Sequence, residues 1–310
     1  MGLTAARLLE TLNRQWEKVE DRLNVSFEFF PPNSPEMADT LWQSVVKLAK
    51  FKPQFVSVTY GANRSTRDRT HAVIERLVQE TDLTPVPHLT CIDASREEIA
   101  DIVSRYRQLG VNHIVALRGD LPASATQTGG DFQYASDLVA FLRQQGVEKI
   151  SVAAYPEVHP EARSARHDLD NLKRKVDAGA TDIITQFFFD NCAFLRFRDR
   201  CRSAGIELPI TPGILPVSNY RQVERFASGC GTRVPSWMGH LYEGLDDDPE
   251  TRRLIGASLA LEQVKLLINE GVADFHFYTL NRAELSYAIC HALRLVGLPG
   301  RHAAPQLASV

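Results

Sequence analysis

Cysteine is scarce in this chain of 310 residues: five are present, an odd number, at Cys91, Cys192, Cys201, Cys230 and Cys290, and no two form a Cys-x-x-Cys pair. That spacing argues against a disulfide framework and against a thiolate zinc site, and it fits small buried core residues in a reducing cytoplasm. Long apolar runs are missing as well. None reaches the roughly 18 residues a membrane span needs, and the first ten residues offer no apolar leader before Asn13 and Arg14. Charge of one sign is not in excess either. A net charge of −3 and a pI near 6.3 lack the basic field that nucleic acid or an anionic membrane would require, so a small-molecule partner is expected. Finally, no Gly-x-Gly-x-x-Gly follows the first apolar run. Phe30 leads instead into Pro31-Pro32-Asn33-Ser34, a stiff turn with no glycine cradle. The missing motif disfavours an open dinucleotide-binding sheet, and any nucleotide must be held another way.

What is present is a series of short β-branched and aromatic runs separated by helical stretches. They are Val25–Phe30, Phe55–Tyr60, Val86–Cys91, His113–Leu117, Ile150–Tyr155, Asp182–Phe189, Leu208–Leu215 and Asp274–Thr279. Most begin roughly 25–35 residues after the one before, the length of a strand-helix unit, and hairpin signals are lacking. Eight such units predict a closed (β/α)8 barrel occupying the whole chain as one domain, 1–310. Helix starts are legible at Ser34-Pro35, in the capping box Ser95–Glu98, at Asp248-Pro249 and at Asn281–Glu284, because side-chain oxygens there can accept the first free backbone N–H groups. Helix stops are expected at Gly110, Gly146, Gly179 and Gly205. Residues 1–20 read as an extra N-terminal helix and 299–310 as a flexible tail. The long gap between strands seven and eight, with Pro235–Met238 and Asp246–Asp248, reads as inserted helices.

Barrel strands normally fill the interior with branched apolar residues, so inward polar residues near strand C-terminal ends are candidates for chemistry. The period-2 pattern places Ser26, Glu28, Ser57, Thr59, His88, Thr90, Gln186, His276 and Tyr278 on that face, with Arg118-Gly119-Asp120 and Tyr155–His159 at the ends of strands four and five. Glu28 stands out. Phe27, Phe29 and Phe30 surround it, and a carboxyl kept protonated by burial can act as a general acid. The plainer alternative is pairing with an arginine or lysine inside the barrel. Asp120 follows a glycine that would let a ligand approach, yet Asp120-Leu121-Pro122 also resembles a simple turn. Asp168, Asn171 and Lys175 recur at helical spacing with Arg174 beside them. Such a face is either merely solvated or a clamp on an anionic phosphate. His88, His159 and His276, alongside Glu157 and Glu161, could suggest a metal site, but they follow no metal-ligand spacing, so no metal is expected.

Taken together, the blocks Val25–Pro32, Phe55–Ala62, His88–Cys91, Ala116–Asp120, Ala154–Pro160, Thr185–Phe189, Pro212–Pro216 and Phe275–Arg282 resemble the bacterial methylenetetrahydrofolate reductases, from about residue 20 to residue 295. The segment Ala123–Gln133 and the tail after Gly297 resemble them least. The resemblance implies a barrel that binds FAD non-covalently without a Rossmann motif. It assigns the flavin to Thr59, Tyr60, Ala62, His88, Arg118, Gly119, Asp120, Tyr134, Ala135, Tyr155, His159, Asp168, Asn171, Arg174 and Lys175. It assigns the folate to Glu28, Thr59, Asp120, Gln186 and Arg282, with Phe226 stacking on folate or nicotinamide. The activity it implies is reduction of 5,10-methylenetetrahydrofolate to 5-methyltetrahydrofolate, feeding methionine synthesis, with NADH or NADPH as reductant. Hydride would pass through the flavin in a ping-pong cycle, with Glu28 as the acid and Asp120 beside the cationic intermediate. A cytoplasmic homo-oligomer, tetramer or dimer, is implied as well. Competing readings are another flavin barrel related in fold to proline dehydrogenase, a silent folate- or flavin-binding protein, and a metal-dependent barrel hydrolase.

Overall fold

A computed structural model of the chain describes residues 23–60, 64–120, 129–293 and 295. Eight parallel strands close on themselves in sequence order: β1 (Asn24–Phe29), β2 (Phe55–Val58), β3 (Pro85–Thr90), β4 (His113–Leu117), β5 (Lys149–Ala154), β6 (Asp182–Phe187), β7 (Ile210–Ile214) and β8 (Asp274–Tyr278), with β8 pairing back onto β1. Each crossover carries a helix: α1 (Pro35–Ala49), α2 (Arg64–Glu80), α3 (Arg96–Gln108), α4 (Ala135–Gln144), α5 (Ala165–Asp177) and α6 (Asn191–Ser203). Between β7 and β8 lie α7 (Tyr220–Ala227), a 3-10 turn (Ser228–Cys230), α8 (Ser236–Tyr242) and α9 (Pro249–Asn269), and α10 (Glu284–Ala292) follows β8. The chain is therefore the expected (β/α)8 barrel with helices inserted between strands seven and eight. The N-terminal helix and C-terminal tail read from the sequence lie outside the described residues.

Alternation along each strand sorts the side chains. Val25, Phe27 and Phe29 face outward into the layer between barrel and helices, and all three are buried. The intervening Ser26 and Glu28 face the lumen, whose lower part is plugged by Phe55, Val86, Val115 and Ile184. Beside that plug a buried polar group joins neighbouring strands: His113 Nε2 meets Ser151 Oγ at 2.7 Å, and Ser151 donates to Asp182. Strands six and seven shift register between Ile184 and Phe187. There Pro212 has no N–H to give, and Gly213 N donates to the Thr185 hydroxyl at 3.0 Å.

Three of the four expected helix starts hold. Ser34 Oγ accepts from Met37 N, Ser95 and Glu98 close a capping box, and Asp248 accepts from Thr251 N. The fourth does not. The helix after β8 begins at Glu284 behind Ala283 with no side-chain cap, because the Asn281 amide is engaged across the barrel by Phe30. The expected glycine stops each adopt positive φ. Among the cysteines, Cys91, Cys201 and Cys290 are buried, but Cys192, near the start of α6, is exposed, contrary to the uniform core placement expected. No helix among the described residues is long and apolar enough to cross a membrane.

Candidate active site

The carboxyl end of the barrel gathers the residues singled out from the sequence. Glu28 pairs in register with Ser57 on one side and Tyr278 on the other, which sets its carboxyl on the barrel axis. Among the described residues no arginine or lysine meets it. Its Oε2 lies 3.4 Å from His88 Nε2 and 3.6 Å from His276 Nε2, close contacts rather than hydrogen bonds. Both imidazole nitrogens are buried and have no other partner among the described residues. Burial holds His88 below its ordinary value, against the opposing pull of the Glu28 charge, so its ring is neutral near pH 7.

His276 is fully buried, and its Nδ1 lies 2.7 Å from Ser26 Oγ. Ser26 has one proton and two possible acceptors, the imidazole and the Phe275 carbonyl at 3.5 Å. If the hydroxyl donates to Phe275, His276 carries its proton on Nδ1 and turns a lone pair toward Glu28. A protonated carboxyl can then donate to it. If the hydroxyl donates to His276, the ring proton moves to Nε2 and faces a carboxylate. The two hydroxyl orientations thus differ in whether His276 turns a lone pair or an N–H toward Glu28.

Tyr278 closes the lumen beside this cluster. Its hydroxyl donates to the Thr185 carbonyl at 2.9 Å, and its ring meets His276 edge-on at 5.3 Å. It can lie there because residue 213 is glycine: a Cβ would stand 2.5 Å from the tyrosine ring and 2.2 Å from the Thr185 oxygen. Ser26, His276 and Tyr278 were legible as inward polar candidates, but sequence reasoning gave them no individual role. Their role depends on contacts across strands one and eight.

At the same carboxyl end of the barrel a cavity of about 550 Å³ opens along the ends of β3, β4 and β5 toward α4 and α5; Glu28 itself is not part of its wall. Its wall includes Tyr60, Arg118, Gly119, Asp120, Tyr134, Ala135, Tyr155, His159, Asp168, Asn171, Arg174 and Lys175, all expected at the flavin. Thr59 and His88, also expected there, do not line it; Ala62 lies outside the described residues. Glu161 was not anticipated. It pairs with Arg118 at 2.7 Å, while Arg118 also donates to the Gly119 carbonyl. Asp168 accepts the His159 backbone N–H at 2.9 Å, Arg174 donates to Asn171 and lies over the Tyr134 ring, and Lys175 Nζ donates to the Ala153 carbonyl at 2.5 Å. Lys175 keeps part of its surface open to the cavity, yet its ammonium is crowded by protein. Burial pulls it down to about 8, with Asp168 opposing the shift. The face is therefore not simply solvated. Asp120 is exposed at the mouth, close enough to add to the upward shift that burial gives Tyr155, to about 12, and Cys230.

On the opposite side of the mouth, Gln186 accepts the Phe187 N–H with Oε1, leaving its amide nitrogen as a donor. Phe226 on α7 packs edge-on against Phe187 at 5.8 Å, and the exposed Arg282 follows the turn after β8. A larger cavity, about 810 Å³, lies outside the barrel between α6, α8 and α9. It contains none of these converging groups, so we place the chemistry in the smaller one.

A parallel barrel with a carboxyl on its axis and a cation-walled cavity beside it belongs to the class of (β/α)8 enzymes that work at the C-terminal mouth. The particular kind follows from sequence similarity. A family model described as methylenetetrahydrofolate reductase matches residues 12–294, and the chain belongs to that family. It is 58% identical to the 5,10-methylenetetrahydrofolate reductase of Pectobacterium carotovorum subsp. carotovorum, covering 94% of this chain and 97% of that one. Identity to the enzyme of the same name from Escherichia coli strain K12 is also 58%, covering 94% and 98%. Among solved structures, an uncharacterized protein from Clostridium thermocellum that binds two copies of 5-methyl-5,6,7,8-tetrahydrofolic acid superposes with a TM-score of 0.59. It shares 13% identity over 90% of this chain and 98% of that one, a likeness of fold.

Proposed function

We propose that this chain reduces 5,10-methylenetetrahydrofolate to 5-methyltetrahydrofolate with NADH or NADPH as reductant, using non-covalent FAD. When bound, FAD would take hydride from the nicotinamide and pass it to the folate in a ping-pong cycle. The cavity suits a phosphate-bearing, hydroxyl-rich ligand. Lys175 and Arg174 offer cations, Asp168 and Asn171 offer hydroxyl partners, and the Tyr60 and Thr90 hydroxyls are buried beside it without partners among the described residues.

The observation that carries the reading is Glu28 held between two imidazoles at the same end of the barrel as that cavity. A methylene bridge between two folate nitrogens accepts hydride poorly until N10 is protonated and the ring opens to an N5 iminium. Glu28 donates that proton, and the Ser26–His276 pair accommodates the carboxyl before and after the transfer. Asp120 at the mouth supplies negative charge beside the iminium. Gln186 orients the pterin, Phe226 stacks on whichever planar substrate is present, Thr59 contributes a hydroxyl, and Arg282 engages the aminobenzoyl-glutamate end. We extend the proposal to one barrel domain over residues 1–310, acting as a cytoplasmic homo-oligomer whose product feeds methionine synthesis.

The test separates the two half-reactions. In Glu28→Gln, anaerobic bleaching of the bound flavin by NADH should persist, because that step needs no acid. Reoxidation by methylenetetrahydrofolate should fall by at least about 10²–10⁴-fold. Protein that takes up no FAD, or a variant that reoxidises at the wild-type rate, would overturn the reading.

A further inference from the structure

Between β8 and α10 the backbone passes through two adjacent non-glycine residues with positive φ, Leu280 at 50° and Asn281 at 57°. L residues adopt that conformation infrequently, asparagine more readily than leucine, and such positions concentrate at functional sites. Here the restraining groups can be named. Asn281 is 4% exposed and every polar atom it has is engaged. Its Nδ2 donates to the Phe30 carbonyl at 2.8 Å and its Oδ1 accepts from Phe30 N at 2.9 Å. Its backbone N–H donates to Thr279 Oγ1 at 3.1 Å, and its carbonyl accepts from Ser44 Oγ at 2.9 Å.

The β1–β8 ladder ends at Glu28 opposite Tyr278. Past that point Thr279 Oγ1 donates to the Glu28 carbonyl at 2.6 Å, and the Asn281 amide supplies a further two-bond rung to Phe30. One side chain thus ties the strand that carries Glu28 to the turn that delivers Leu280 and Arg282. We propose that Asn281 is a positioning residue: by clamping β1 beyond Glu28 to this turn, it fixes the separation between the acid and the cation that grips the far end of the substrate.

The inference rests on the roles proposed above for Glu28 and Arg282. It makes a claim that a mere turn residue would not satisfy. Glycine takes positive φ without strain, so Asn281→Gly keeps the turn and removes the clamp. Asn281→Asp keeps the size but has no hydrogen to give the Phe30 carbonyl. Both variants would be loaded with FAD and compared with wild type in three measurements: flavin reduction by NADH, reoxidation by methylenetetrahydrofolate, and calorimetric affinity for 5-methyltetrahydrofolate.

We expect Asn281→Gly to reduce flavin within about twofold of wild type, to reoxidise about 10–100-fold more slowly, and to bind the methylfolate at least about fivefold more weakly, as an ångström-scale misplacement would produce. Asn281→Asp should behave the same way, and it carries the test if the glycine variant does not fold. Wild-type reoxidation and binding in the glycine variant would overturn the inference while leaving the proposed function standing. So would equal losses in both half-reactions, the mark of a purely structural residue. A wild-type protein that reduces flavin but never transfers to the folate would overturn the function itself, and the inference with it.

Discussion

Lys175 offers a prediction whose sign and window can be worked out from the structure. Its ammonium titrates near 8 rather than 10.5 because protein crowds it, and the Asp168 charge recovers only part of the lost hydration. A bound phosphate would restore what burial removed and raise the lysine again. Ligand affinity should therefore be flat below pH 8 and fall as pH rises through and above it, by up to about tenfold per pH unit until the ligand-bound value is reached. In the ligand-free protein the sign is opposite. The folded value lies below the unfolded one, so between pH 8 and 10.5 the unfolded chain holds the extra proton, and this group adds stability as pH rises across that window. The neighbours do not confuse the result: burial holds His159 below 6.5, and it pushes Tyr155 to about 12 and Cys230 above 9.0. The assay is a fluorescence titration of the protein with FAD at pH 7, 8 and 9, repeated on Lys175→Met. Wild type should lose about fivefold between pH 8 and 9, and the variant should bind weakly with no slope. A flat wild-type profile, or an equal slope in the variant, would refute the assignment of Lys175 to the phosphates.

Two further outcomes follow from the mouth of the barrel. Asp120→Asn should slow flavin reoxidation by methylenetetrahydrofolate more than flavin reduction by NADH in stopped-flow traces, since only the folate step builds positive charge beside it; equal slowing would make Asp120 a loop or flavin residue instead. Gly213→Ala places a methyl against the Thr185 oxygen and the Tyr278 ring, so it should cost about 1–3 kcal/mol in urea unfolding and slow the folate step; an unperturbed unfolding midpoint would show that the strand accommodates the methyl without moving Tyr278.

Much of this architecture was legible without coordinates because its causes are local. Strand runs alternate with capped helices, Ser34, Ser95 and Asp248 cap from within their own turn, and a glutamate among phenylalanines marks itself as unusual wherever the chain goes. Similarity to a known family then named the cavity lining, which residue types alone left open between a solvated face and a clamp. What the sequence could not decide are the contacts made by barrel closure. His276 and Ser26 are 250 positions apart, and Asn281 and Phe30 are 251 apart. Local capping rules assigned Asn281 to the helix beside it, but the long-range partner won because a half-buried backbone N–H and carbonyl at Phe30, past the end of the ladder, take an acceptor and a donor there. Likewise a lysine on a helix face reads as solvated until the packing around its ammonium is known. Local hydrogen-bonding preference and side-chain periodicity are written into neighbouring residues; burial, charge state and cross-barrel pairing are set by groups that meet only when the last strand closes on the first.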